Sequence, residues 1–219
     1  MAVFENRDLR TRASIPIHAM KPIVAHLLYR VRRLIAAVAR LFAAWRGPRR
    51  IPTAAGLPAW AEVRRRRRAH IRRVAGLVDA WASEIDVASS ERRRWLAAVW
   101  LHDALRDARL PAGTSHGAAA ADRAARDGET DRGVLDAVRF HSVGYAGWDD
   151  VGRMLYLADY LEPGRKGRRK ERARLAKRVP RQRDAVLREV VARQIEEQLA
   201  AGRPIDPLTL AFWNSLAPD

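Results

Sequence analysis

Four separate helical patterns in this chain each carry an ionisable residue on the apolar stripe. His70 stands ahead of Val74, Leu77 and Trp81 at helical spacing, and His102 follows Trp95, Ala98 and Val99. His141 follows Val134 and Val138, Asp159 follows Val151 and Leu155, and Asp103 adjoins His102. One such histidine is ordinarily a hydrogen-bonded core residue. An inward carboxylate is different, because burying it unpaired costs on the order of several kcal/mol. Two inward acids and three inward histidines on separate helices need a shared explanation. A metal ion supplies it by offsetting the carboxylate charge and occupying the imidazole nitrogens.

The chain has no cysteine, which excludes disulfides and thiolate metal sites. A metal must then be held by His, Asp, Glu or water, a set suited to iron, manganese, magnesium or zinc. Lys and Arg number 42 against 25 Asp and Glu, a formal net charge of +17. That favours an anionic partner: nucleotide, nucleic acid or membrane surface. Because most of the excess is Arg in an Ala- and Arg-rich chain, coding bias accounts for it equally well, and no specific nucleic acid is expected. Met1 to Arg12 lacks the apolar run of a secretory signal, and no stretch of about 18 uncharged apolar residues is present. The expected location is cytoplasmic.

Residues 20–46 form a basic, apolar helical pattern with Leu27, Val31, Leu34, Val38 and Leu41 in register. Such a helix suits either packing on its own domain or on a second subunit, or peripheral membrane contact. Gly47, Pro48, Pro52, Gly56 and Pro58 read as a linker, so residues 1–58 form an extension and 59–219 the main domain. Strand signals are poor throughout, and the expected class is all-α. Helices are expected near 59–82, 89–106, 115–127, 130–141, 148–160, 168–177 and 181–201. Arg64 to Arg68 is a run of five Arg, usually a solvated helix face and alternatively a group that holds phosphates. His18 and His26 fall outside the pattern and read as ordinary residues of the extension.

The series His70, His102-Asp103, Asp159 resembles the ligand series of the HD-domain superfamily of metal-dependent phosphohydrolases. Local words narrow the likeness. Leu101-His102-Asp103-Ala104-Leu105-Arg106 is similar to "LHDIAK", and Val138-Arg139-Phe140-His141-Ser142-Val143-Gly144 to "RYHTTG". Leu157 to Arg165 resembles "ADYIEPNR", and Gly202 to Leu210, with Asn214 beyond, resembles "GKPIHPDTLEAYN". These words belong to the YqeK family of symmetrical dinucleoside-tetraphosphate hydrolases, and the likeness spans roughly residues 65–214. Ser142-Val143 departs from the paired threonines, residues 165–180 are far more basic, and residues 1–60 have no counterpart in compact members.

The resemblance implies an HD-domain helical bundle that binds two metal ions, with iron favoured and manganese or zinc as alternatives. His70, His102 and Asp159 would complete one site and His116 and His141 the other, with Asp103 bridging and accepting a proton from water. The implied substrate is diadenosine tetraphosphate, cut to two ADP. Arg106, beside the dipeptide, is a catalytic candidate. Arg139, Ser142, Gly144 and Arg165 are candidates for holding phosphate. Alternatives are an HD-type hydrolase of another nucleotide or phosphoester, and a non-catalytic nucleotide-sensing or membrane-associated module that keeps the metal. A homodimer is the default expectation for a small helical enzyme.

Overall fold

A computed structural model describes residues 56–217. The helix of residues 20–46, His18 and His26 lie outside the described residues. Seven helices and no strand are present among those described: α1 (Arg65–Ile85), α2 (Ser89–His102), α3 (His116–Arg126), α4 (Arg132–Phe140), α5 (Asp150–Leu161), α6 (Arg169–Ala200) and α7 (Pro207–Ser215). The all-α expectation holds. No described helix is long and apolar enough to cross a membrane.

The centre of the bundle is α5. Val151, Met154, Leu155, Leu157, Ala158 and Leu161 are all at most 1% exposed, so the helix is apolar nearly all round and must be enclosed. It packs against α1, α2, α4 and α6. Beside it, α2 contributes Ala98, Val99 and Leu101, while α3 and α4 meet through Ala120, Ala121, Ala124 and Ala137, all fully or almost fully buried. Small residues let these backbones approach closely. At Gly117 a Cβ would lie 2.6 Å from the Val138 carbonyl oxygen. This close approach brings the first turn of α3 against the end of α4.

Side chains start several helices. Ser115, Asp131, Asp149 and Asp206 cap α3, α4, α5 and α7, each accepting from a backbone N–H of the first turn. Arg94 on α2 ties two of these caps together. It makes a bidentate pair with Asp131 at 2.8 and 3.0 Å and reaches Asp149 at 2.6 Å and Glu91 at 2.7 Å. Replacing it (Arg94→Met) strands the partly buried carboxylates of Asp131 and Glu91 and the exposed one of Asp149. We expect a loss of about 1–3 kcal/mol in urea unfolding; a midpoint equal to wild type would refute this role.

Four boundaries differ from expectation, each for a local reason. The first helix begins at Arg65 rather than 59 because the preceding segment is stitched to the loop after α2. Glu62 N–H donates to the Ala104 carbonyl at 2.7 Å, Asp107 N–H to the Glu62 carbonyl at 3.3 Å, and Arg64 N–H to Asp107 Oδ2 at 2.7 Å. Leu57, Trp60 and Val63 pack on the core from this segment. The same loop ends α2 at His102, so Arg106 is not on that helix. The two helices expected at 168–177 and 181–201 are both present but follow each other without a loop, so that α6 spans them across a kink at Gln182 (φ −141°, ψ 39°), two residues after Pro180, whose ring cannot continue a regular helix. A further helix, α7, begins at Pro207, a residue whose fixed φ suits the first helical position.

Candidate metal centre

Each proposed ligand comes from a different part of the bundle. His70 lies within α1, His102 ends α2, His116 begins α3, His141 follows α4, and Asp159 is in the last turn of α5. Asp103 follows His102 in a non-helical conformation (φ −110°, ψ 14°). Leaving the helix frees its side chain from the roughly 100° step that separates successive helical residues. All six residues converge.

Asp103 is 3% exposed, and its two oxygens divide between two pairs of histidines. Oδ2 lies 3.5 Å from His102 Nε2 and 3.6 Å from His70 Nε2. Oδ1 lies 3.1 Å from His116 Nε2 and 3.7 Å from His141 Nε2. Asp159 Oδ1 joins the first group, 3.0 Å from His70 Nε2. Nitrogen and oxygen ligands about 2.0–2.2 Å from a common ion sit roughly 3–3.5 Å apart, close to these spacings.

Hydrogen bonds at the far side of three rings decide which nitrogen is free. His102 Nδ1 is 2.7 Å from the Val99 carbonyl, and His141 Nδ1 is 2.8 Å from the Val138 carbonyl. A carbonyl only accepts, so each Nδ1 carries the proton and each Nε2 presents a lone pair. His70 Nδ1 donates in the same way to Glu162 Oε1 at 3.1 Å. The Nε2 atoms of His70 and His102 are buried and make no hydrogen bond. Buried acceptors without donors, facing a carboxylate, are what a metal site looks like to its ligands.

The charges point the same way. Burial pushes the Asp103 carboxyl up, but the surrounding imidazoles of His102, His116 and His141 hold it well below the ordinary range. Asp159 is likewise held down against burial by His70 and Arg165. His70 is shifted up: burial opposes this, and the neighbouring carboxylates of Asp159 and Glu162 overcome it. The donor set, the orphaned nitrogens and the concentration of negative charge around His70 all fit a cation.

Glu162 was not singled out from the sequence, although it sits in the word that contains Asp159. It is 1% exposed and receives Arg73 Nε at 2.6 Å, Gly164 N–H at 2.6 Å and His70. Burial raises its carboxyl, but the bonds from His70, Arg73 and Gly164 bring it from 4.5 down to about 2. Its folded value is depressed, so in the metal-free protein its stabilising contribution is present above about pH 4.5 and is lost as the pH falls towards 2. Glu162→Gln should weaken metal binding about 10- to 100-fold by loosening the His70 ring. Competition with a chelator measures this, and unchanged affinity would exclude the orienting role.

The ligands open into a cavity of about 1090 Å³ whose lining includes Arg106, Arg165 and Ser142. Arg106 Nη1 is 2.9 Å from His116 Nδ1, and Arg165 pairs with Asp159 Oδ1 at 2.6 Å. Ser142 Oγ is 3.2 Å from His141 Nε2. Two other candidates sit elsewhere. Arg139 is spent on Asp122 of α3 at 2.5 Å and does not line the cavity. Gly144 does not line it either. It takes φ +89° in the turn closing α4, where a Cβ would meet the buried Phe212 ring at 2.4 Å. Its need for glycine is steric. Arg67, absent from the candidates, donates to Asp103 Oδ2 at 2.6 Å. Arg67 and Arg73 lie three residues either side of His70, so helical spacing alone placed them on its face.

The fold is that of the HD superfamily hydrolases. The chain resembles the crystal structure of a predicted HD superfamily hydrolase involved in NAD metabolism from Clostridium acetobutylicum, with a TM-score of 0.58 and 21% identity. The match covers 69% of this chain and 89% of that one. Over 89 residues the chain is also 34% identical to the symmetrical bis(5'-nucleosyl)-tetraphosphatase of Halalkalibacterium halodurans. That region is 41% of this chain and 46% of the relative, so the likeness spans about half the length of the curated protein. No protein-family model matches the chain.

Proposed function

We propose that this chain is a metal-dependent phosphohydrolase that cleaves dinucleoside polyphosphates, with diadenosine tetraphosphate, cut to two ADP, as the substrate. The observation that carries the reading is the single buried carboxylate of Asp103 shared between two histidine pairs. Similarity to a tetraphosphatase over part of the chain supports the substrate class.

His70, His102, Asp103 and Asp159 would hold one ion, and Asp103, His116 and His141 a second; we assign iron, with manganese or zinc as alternatives. Two ions so held would supply Lewis acidity to lower the pKa of a water and neutralise charge developing on phosphoryl oxygens. The protein's own groups do the rest. Ten Arg and Lys side chains line the cavity against five carboxylates, a balance suited to a polyanion. Arg67, Arg106 and Arg165 reach the ligands themselves, so a phosphate at the metal centre would meet their guanidinium groups. With both oxygens facing histidines and its carboxyl held low, Asp103 suits ligation better than proton acceptance.

Incubation of the metal-loaded protein with dinucleoside polyphosphates, dNTPs and cyclic dinucleotides tests the proposal. Diadenosine tetraphosphate should yield ADP as the sole nucleotide product. Turnover confined to dNTPs or cyclic dinucleotides would overturn it.

A further inference from the structure

The cavity is larger than a phosphate chain requires, and its chemistry changes along its wall. Near the metal ligands the wall is guanidinium. Where α6 lines it, the side chains are Gln194, Glu197, Gln198 and Arg172, the last already donating to the Arg165 and Lys166 carbonyls. Residues 194, 197 and 198 fall on one face of the helix, at i, i+3 and i+4. Both glutamines are half-buried, and neither amide makes a hydrogen bond to another of the described residues. Glu197 Oε1 accepts from Tyr160 at 3.3 Å and lies 3.9 Å from Arg168 Nη1, which offsets that cation.

We propose that this face of α6 is a nucleobase subsite, taking a purine with an exocyclic amino group. The inference rests on the nucleotide reading of the metal centre. A primary amide offers a donor and an acceptor side by side, the pattern that pairs with the amino group and ring nitrogen of adenine. The Glu197 carboxylate disfavours phosphate at this face and offsets Arg168. Arg168, half-exposed and planar, stands beside Glu197, where a guanidinium can lie against a heterocycle. Phosphates would then lie towards Arg67, Arg106 and Arg165, and the base towards α6.

Binding of ADP and of inorganic pyrophosphate to the manganese-loaded full-length chain tests the subsite by calorimetry. ADP adds a nucleoside to the same anion. Wild type should bind ADP about tenfold more tightly than pyrophosphate, the effect of one or two net hydrogen bonds. The Gln194→Ala/Gln198→Ala double variant should lose that advantage and keep its pyrophosphate affinity. The subsite is overturned if wild type shows no preference, if the variant keeps it, or if both affinities fall together. Dinucleotide turnover is not the readout. Failure to cleave diadenosine tetraphosphate would therefore remove the proposed function without deciding the subsite, and the reverse also holds.

Discussion

Asp103→Asn will leave the folded protein without either metal ion and lower turnover by roughly a thousandfold or more. The substitution is nearly isosteric, so the consequence is electrostatic. The wild-type carboxylate is the only group placed towards both histidine pairs among the described residues, with Oδ2 facing His70 and His102 and Oδ1 facing His116 and His141. An amide offers one oxygen, without charge, and an NH2 that repels a cation at the other position. Elemental analysis after dialysis measures the loss. The circular dichroism spectrum should stay helical, since Asp103 lies just after α2 and caps no helix N-terminus. Retention of one full equivalent of metal would show that the two groups are independent and that Asp103 does not join them.

Much of this centre was legible in the sequence because helical periodicity reports direction. His70, His102, His141 and Asp159 stand on apolar stripes, so their inward orientation followed from spacing. His116 could not be found that way. It is the first residue of a short helix with alanine on most of its buried face, and only likeness to a family pointed to it. The supporting residues were hidden for another reason. Glu162 looks like any acid at a helix end until Arg73, Gly164 N–H and His70 are seen to converge on it. Arg139 and Gly144 lie inside the family-like words, yet face Asp122 and Phe212. A word match carries local structure and cannot say which of its side chains faces the cavity.

The fold divides in the same way. Helix existence followed from periodicity, but the start of α1 depended on Glu62 pairing with the backbone of Ala104 and Asp107, a contact between segments about forty residues apart in sequence. The α7 helix is nine residues long, and its two buried side chains are Thr209 and Phe212. So short an apolar face gives little periodic signal. What marks it is the Asp206 cap and Pro207 at the first position.

His116→Ala distinguishes a shared two-ion centre from a single site with a spare histidine pair. Metal content should fall from two equivalents to one, and turnover on diadenosine tetraphosphate by about 100- to 1,000-fold, the loss expected when one ion of a two-metal site goes. The His70, His102, Asp103 and Asp159 group is untouched and should keep its ion. His116 is the better choice than His141, whose Cε1 would lie 3.1 Å from a Cβ at Gly117 and whose removal would disturb the α3–α4 contact. Replacing His116 leaves the Ser115 cap in place, because the bond runs from Ala118 N–H to Ser115 Oγ at 3.1 Å. It also frees Arg106, whose Nη1 loses its imidazole partner. Two equivalents retained in the variant would place the second ion elsewhere. One equivalent with full turnover would show that a single ion suffices, and the dinucleotide reading would lose the feature that separates it from a one-metal hydrolase of the same fold.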